Sequence, residues 1–294
     1  MKGYHDIVGD GGSAVLAQVA GQRAAIAGGL AGVRHLVAIG SGKGGVGKST
    51  LTLQIAQALR VRGQRVAILD ADFNGPSQAQ MAGVQNATFV PGHDKVALPR
   101  TASGIAVFSM GSVIPESAAL EFESAAQGES HTWRATREFA LLGEILRSFA
   151  WGELDVLLFD LPPGAERTVQ FAEYLGRRAA FLLVTIPSEV ARGVVARSAA
   201  ALSAGPHRVL GYVENMSGYY CRECDAIRPL FASGPARLDV PCLGSVPFDP
   251  ALAQSCDRGE PLANATRTPV GQAVAQIALR LLETRGEASK ETDR

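Results

Sequence analysis

Lysine is scarce in this chain, net charge is absent, cysteine is sparse and no hydrophobic run is long. Each shortage narrows what the protein can be. No apolar stretch approaches the roughly 20 residues that a membrane-spanning helix needs, although 47% of the chain is hydrophobic and a substantial core is available. Asp6 and Asp10 precede any apolar stretch, so the N-terminus lacks the basic opening of a secretory signal. A soluble, cytoplasmic protein is expected. Acids and bases balance at 28 each, which argues against a broad electrostatic footprint for nucleic acid or anionic lipid. Neither a nucleic-acid partner nor stable membrane association is expected. Four cysteines (Cys221, Cys224, Cys242, Cys256) in 294 residues are too few for a disulfide framework and read as reduced thiols available to a metal.

The few lysines are informative. There are only five (Lys2, Lys43, Lys48, Lys95, Lys290) among 28 cations, and two of them share one glycine-rich loop. A chain that otherwise uses arginine has placed compact ammonium heads there. The loop, Gly42-Lys43-Gly44-Gly45-Val46-Gly47-Lys48-Ser49-Thr50, satisfies the pattern G-x-x-x-x-G-K-[ST] in full. It lies between an apolar run, His35–Gly40, and a helical stretch from Gly47 to about Arg62. Glycines let backbone N–H groups turn inward around a phosphate beside the positive end of the helix. Lys48 is placed to reach the β- and γ-phosphates of ATP, and the Ser49 hydroxyl to complete a Mg²⁺ shell.

Further strands are expected at 65–70, 105–110, 154–160, 180–186, 209–213 and 240–246, with helices near 134–149, 188–202 and 269–282. Strands alternating with helices imply right-handed βαβ units, hence an α/β P-loop NTPase with a mostly parallel sheet covered by helices on both faces. One ATPase domain is expected over 34–284, preceded by an N-terminal extension (1–33) with a possible helix at 15–27 and followed by a polar, frayed tail (285–294). Residues 75–133 are the least legible part.

Carboxylates stand where a parallel sheet presents its ligand crevice. Asp70 and Asp72 follow one strand, and Asp160 ends another before Leu161-Pro162-Pro163-Gly164. One such acid can hold Mg²⁺ through water and another can orient the attacking water. Cys221-Arg222-Glu223-Cys224 lies six residues beyond Asn215 and is read as part of a loop. Its spacing leaves a redox pair, zinc and an iron–sulfur cluster open. Pro229 makes the long helix of a redox motif doubtful, and two thiolates supply half of a four-coordinate zinc or 4Fe–4S site. A two-fold axis beside them would bring four thiols to one metal. Cys242 and Cys256 read as structural.

The loop with its extra Lys43 resembles that of the deviant-Walker-A ATPases, which include MinD, ParA, the nitrogenase iron protein and the Mrp/ApbC proteins. Taken together, SGKGGVGKST, DADFNGPS, DLPPG and ENMSGYYCREC resemble the Mrp/ApbC family of iron–sulfur cluster carrier ATPases, in order, over about residues 34–283. That resemblance implies a homodimer in which Lys43 touches the partner's nucleotide. It implies that Asp72 serves the attacking water, that Asp160 is the Walker-B acid and that Asn215 reads adenine. It also implies that Cys221 and Cys224 hold a 4Fe–4S cluster between two protomers for delivery to apo iron–sulfur proteins. The chain departs from the family pattern at Ala165-Glu166-Arg167, where Thr-Gly-Asp is usual, at Asp225, where Gly is usual, and after Trp133-Arg134, where Gly-Pro is usual. Two further readings stand beside the carrier. One is a spatial organiser of the MinD/ParA kind, which calls for a basic amphipathic C-terminal helix or a basic DNA-facing patch, whereas 270–282 holds Arg280 as its one cation and the net charge is zero. The other is a client-targeting ATPase whose cysteines bind zinc across the dimer.

Overall fold

A computed structural model describes residues 27–113, 131–231, 238–260 and 267–292 of the chain. The apolar runs become β1 (Val33–Ser41), β2 (Val66–Asp70), β5 (Ala106–Phe108), β6 (Leu154–Asp160), β7 (Ala179–Thr185), β8 (Arg208–Cys221) and β10 (Cys242–Phe248). They lie in the order β10-β8-β7-β1-β6-β2-β5, and all these pairings are parallel. A short β9 (Ala226–Arg228) folds back antiparallel on β8, and β3 (Val90–Pro91) and β4 (Val96–Ala97) form a separate hairpin. The helices are α1 (Lys48–Val61), α2 (Gln78–Met81), α3 (His131–Ser148), α4 (Ala165–Leu175), α5 (Glu189–Ala204), α6 (Pro250–Asp257) and α7 (Pro269–Thr292).

Continuous apolar runs suit these strands because both faces of the sheet are covered. Along β1, Val37 and Ile39 join one core with Leu51, Ile55 and Leu59 of α1 and with Ile277 and Leu281 of α7. Leu36 and Ala38 join the other with Leu142 of α3, Phe171 of α4 and Leu202 of α5. The parallel α/β sheet with helices on both faces is as expected.

Several elements differ from the sequence expectation. The strand expected at 209–213 runs on to Cys221. Glu214 and Asn215 look like a strand end, but β10 pairs alongside them (Val246↔Asn215). The register then shifts near Met216, whose φ is +54°, and β9 pairs with the remainder (Cys221↔Ala226). The cysteine pair is therefore not in a free loop: Cys221 is the last residue of β8 and Cys224 lies in the tight turn to β9. The strand expected at 105–110 shortens to Ala106–Phe108 and gives way to a 3₁₀ turn at Met110–Ser112. The final helix extends through Thr292, past the point where fraying was expected. Helix α4 was not anticipated, although Thr168, Phe171, Ala172 and Leu175 are buried at helical spacing. The helix expected at 15–27 and the polar stretch around 121–130 lie outside the described residues.

Candidate nucleotide and cysteine sites

The phosphate loop leaves the C-terminal end of β1, the centre of the sheet, and enters α1. Gly45 and Gly47 have φ of +78° and +77°, the left-handed region that glycine enters without steric cost. Lys43, Gly44 and Gly45 are exposed, whereas Val46 and Lys48 are buried. The loop is braced from three sides. Gly164 N–H donates to Ser41 O at 2.9 Å, a Cβ on Gly42 would lie 2.5 Å from Val194 of α5, and Asn215 Nδ2 donates to Val46 O at 2.8 Å.

The predicted acids converge on the loop. Lys48 Nζ is 2.5 Å from Asp160 Oδ1, and both side chains are buried. Lys48 also donates to Ser49 Oγ at 3.2 Å. Gln78, which sequence reasoning passed over, joins the group: its Nε2 donates to Asp160 Oδ2 and to Ser49 O, both at 2.9 Å. Its buried Oε1 has no partner. Asp70 is fully buried and structural in its contacts. Its Oδ2 accepts from Ser77 N, Gln78 N and Ser109 Oγ at 2.9–3.0 Å, and its Oδ1 accepts from Asp72 N at 3.2 Å. Burial pushes the Asp70 carboxyl up to about 7, the charge of Asp160 adds to this, and the Gln78 N–H, Ser109 hydroxyl and Lys48 oppose it. Asp72 is half-buried, and burial raises its carboxyl while Lys48 opposes.

The segments after β2 and β6 are clasped together by Glu138 of α3, also missed in the sequence. It accepts from Asn74 Nδ2 at 3.1 Å and pairs with Arg167. Arg167 in turn lies over the Phe139 and Phe171 rings. Where the resembling family has an acid, this chain therefore has a cation held by a buried acid. Glu166 faces Gln170 Nε2 at 3.1 Å in the first turn of α4.

Beside the loop opens a cleft with about 470 Å³ of empty volume, counting the space at its mouth. Gly47, Thr50, Asn215, Pro247, Phe248 and Asp249 are among the residues lining it. Apolar walls with a few convergent polar groups suit a purine base and ribose. The exposed glycines of the loop, buried Lys48 and the unpartnered Gln78 oxygen suit a bound nucleotide.

Cys221 is half-buried and Cys224 exposed. The Cys224 backbone and thiol and the Glu223 backbone hydrogen-bond Cys221 and hold its thiol below the ordinary range. Arg228 Nη2 lies 4.0 Å from Cys224 Sγ. Asp225, after the second cysteine, has φ of +48°. This backbone region explains why glycine suits the position, and here the Asp225 carboxylate is anchored by the Tyr220 hydroxyl at 2.7 Å. Of the remaining cysteines, Cys256 is buried, its thiol pushed up to about 11 by burial, whereas Cys242 is exposed. Among the described residues no group of three or more His, Cys, Asp or Glu side chains is arranged to hold a metal, and no helix is long and apolar enough to cross a membrane.

The sequence profile described as "ParA: NUBPL iron-transfer P-loop NTPase" matches residues 32–282. This chain belongs to that family. It is 36% identical over 274 residues to the human "Cytosolic Fe-S cluster assembly factor NUBP2", covering 89% of this chain and 97% of the relative. It is 34% identical over 238 residues to "Cytosolic Fe-S cluster assembly factor CFD1" of Saccharomyces cerevisiae, covering 76% and 78%. Among solved structures, it is similar to a nucleotide-binding protein from Archaeoglobus fulgidus in complex with ADP. That match has a TM-score of 0.67 and 29% identity, and covers 81% of this chain and 91% of the other. MinD of Pyrococcus horikoshii, at 19% identity and a TM-score of 0.59 over 86% and 97% of the chains, shares the fold. The family is thus one of iron-transfer P-loop NTPases, in line with the Mrp/ApbC resemblance of the motifs.

Proposed function

We propose that this chain is an ATP-hydrolysing carrier that works as a homodimer, with the cysteine pairs of two copies holding one 4Fe–4S cluster for transfer to apo iron–sulfur proteins. The observation that carries this reading is β8. One strand presents Asn215 against the phosphate loop and, past a register shift at Met216, ends at Cys221, so the nucleotide cleft and the thiols share one element. The relatives' names, which include cytosolic Fe–S cluster assembly factors, point to the same cargo and to the cytosol.

The chemistry assigned to each residue follows from its place. Gly42–Thr50 supply amides for the phosphates, and Lys48 neutralises the β/γ oxygens once it exchanges Asp160 for phosphate. Ser49 and, through water, Asp72 and Asp160 would hold Mg²⁺. Asp72, half-buried after β2, orients the attacking water. Lys43, exposed in the loop, would cross to the partner's nucleotide, the role that the family resemblance implies. Asn215 reads the base edge. Each protomer offers two thiols, half of a four-ligand set, and hydrogen bonds from the Cys224 and Glu223 backbone and the Cys224 thiol favour the thiolate form of Cys221.

Anaerobic reconstitution of the protein with iron and sulfide tests the reading. A visible charge-transfer band with about four irons per dimer, lost in Cys221→Ala and Cys224→Ala while ATP still binds, is the expected result. A cluster retained by either variant would sink it. A colourless dimer carrying zinc would instead assign the cysteines to a zinc-bridged switch.

A further inference from the structure

The cysteine turn is bonded directly to the wall of the nucleoside cleft. Arg222, between the two cysteines, donates from Nε and Nη2 to Asp249 Oδ1 and Oδ2 at 3.3 and 2.8 Å. Asp249 has 1% side-chain exposure, whereas Arg222 is half exposed at 47%. The same carboxylate caps α6, accepting from Ala251 N at 2.9 Å, and it lines the cleft next to Pro247 and Phe248. Two-point pairing of a guanidinium with a buried carboxylate fixes orientation as well as distance. A shift of Asp249 with a nucleoside would therefore pull on the Arg222 guanidinium, whose backbone belongs to the thiol turn.

We propose that Arg222 is a positioning residue that couples the nucleoside cleft to the Cys221–Cys224 turn through Asp249, so that nucleotide occupancy changes the geometry of the two thiols. This deepens the carrier reading and rests on its nucleotide half alone; no cluster is needed. A bond of this kind acts as a reciprocal coupling: whatever the nucleotide does to the thiols, a ligand on the thiols does to nucleotide affinity.

The test is the alkylation rate of each cysteine, read by peptide mass spectrometry on the metal-free full chain, with and without saturating Mg-ADP. Calorimetry on the same samples gives the ADP affinity. In the native sequence, ADP should change the Cys221 and Cys224 rates by about fivefold or more, with exposed Cys242, at the start of β10 and away from the cleft, unmoved as internal reference. In Arg222→Ala the two thiols should react faster without nucleotide and lose their ADP response, with ADP affinity within about threefold of native. Arg222→Lys, which keeps the charge but not the two-point geometry, should recover part of the response, which a merely destabilised turn would not do. An undiminished ADP response in Arg222→Ala would overturn the coupling, and so would a native protein that binds ADP without any thiol response. If calorimetry finds no ADP binding, the nucleotide reading fails separately. The nucleotide-free rates then still decide whether Arg222 holds the turn, and equal rates in native and Arg222→Ala would refute it.

Discussion

Replacing Gly47 with alanine should weaken the ligand-free protein by about 2–3 kcal/mol, through two separable causes. The first is backbone: at φ +77° a residue carrying Cβ sits in the left-handed region at a cost of about 1–2 kcal/mol. The second is contact: the new Cβ would lie 2.3 Å from Asn215 Nδ2, an impossible separation. The amide must therefore rotate away and lose its 2.8 Å bond to Val46 O, worth about 1 kcal/mol. Urea unfolding of Gly47→Ala, Asn215→Ala and the double variant isolates the contact. Once Asn215 has been truncated, only the backbone cost of Gly47→Ala should remain, giving a coupling of about 1 kcal/mol. Strictly additive variants, or a single-variant loss below about 0.5 kcal/mol, would refute the claim that Asn215 is braced against the phosphate loop.

Two further outcomes follow from buried or strained carboxylates. Asp70 has its carboxyl raised to about 7, so between roughly pH 4 and 7 the folded state binds a proton that the unfolded state has released. Stability of the metal-free protein should therefore be highest at the acid end of that window and fall as pH rises through it. The Asp70 share of the slope should reach at most about 1.4 kcal/mol per pH unit and be lost in Asp70→Asn, which keeps only the contribution of other raised groups such as Asp72; urea titrations showing the same slope in both proteins would contradict this. Asp225→Gly relieves the left-handed backbone but loses the Tyr220 bond; the two effects, each about 1 kcal/mol, should nearly cancel. Asp225→Ala keeps the strain and loses the bond, so it should cost about 1–2 kcal/mol by the same urea measurement.

Much of the molecule was legible because its signals are local. A glycine-rich loop between an apolar strand and a helix specifies a phosphate cradle from backbone rules alone, and β6 was bounded correctly by its apolar run from Leu154 to Asp160. The parallel sheet follows from alternation of strand and helix, and the family from four short motifs in order. Residues whose roles depend on distant partners were not legible. Gln78 acquires meaning only when it meets Asp160 and Ser49. Glu138 acquires it only when α3 brings it to Asn74 and Arg167, and Arg222 only when β10 delivers Asp249. The true length of β8 belongs with these, because a polar strand end is stabilised by whichever strands lie beside it. Chain-local chemistry was thus written in the sequence: where the glycine-rich loop lies, which acids and thiols are available, which runs form the core. Tertiary structure alone decided which of those groups touch, because long-range hydrogen bonds and ion pairs are set by the packing of the sheet and leave no periodic trace along the chain.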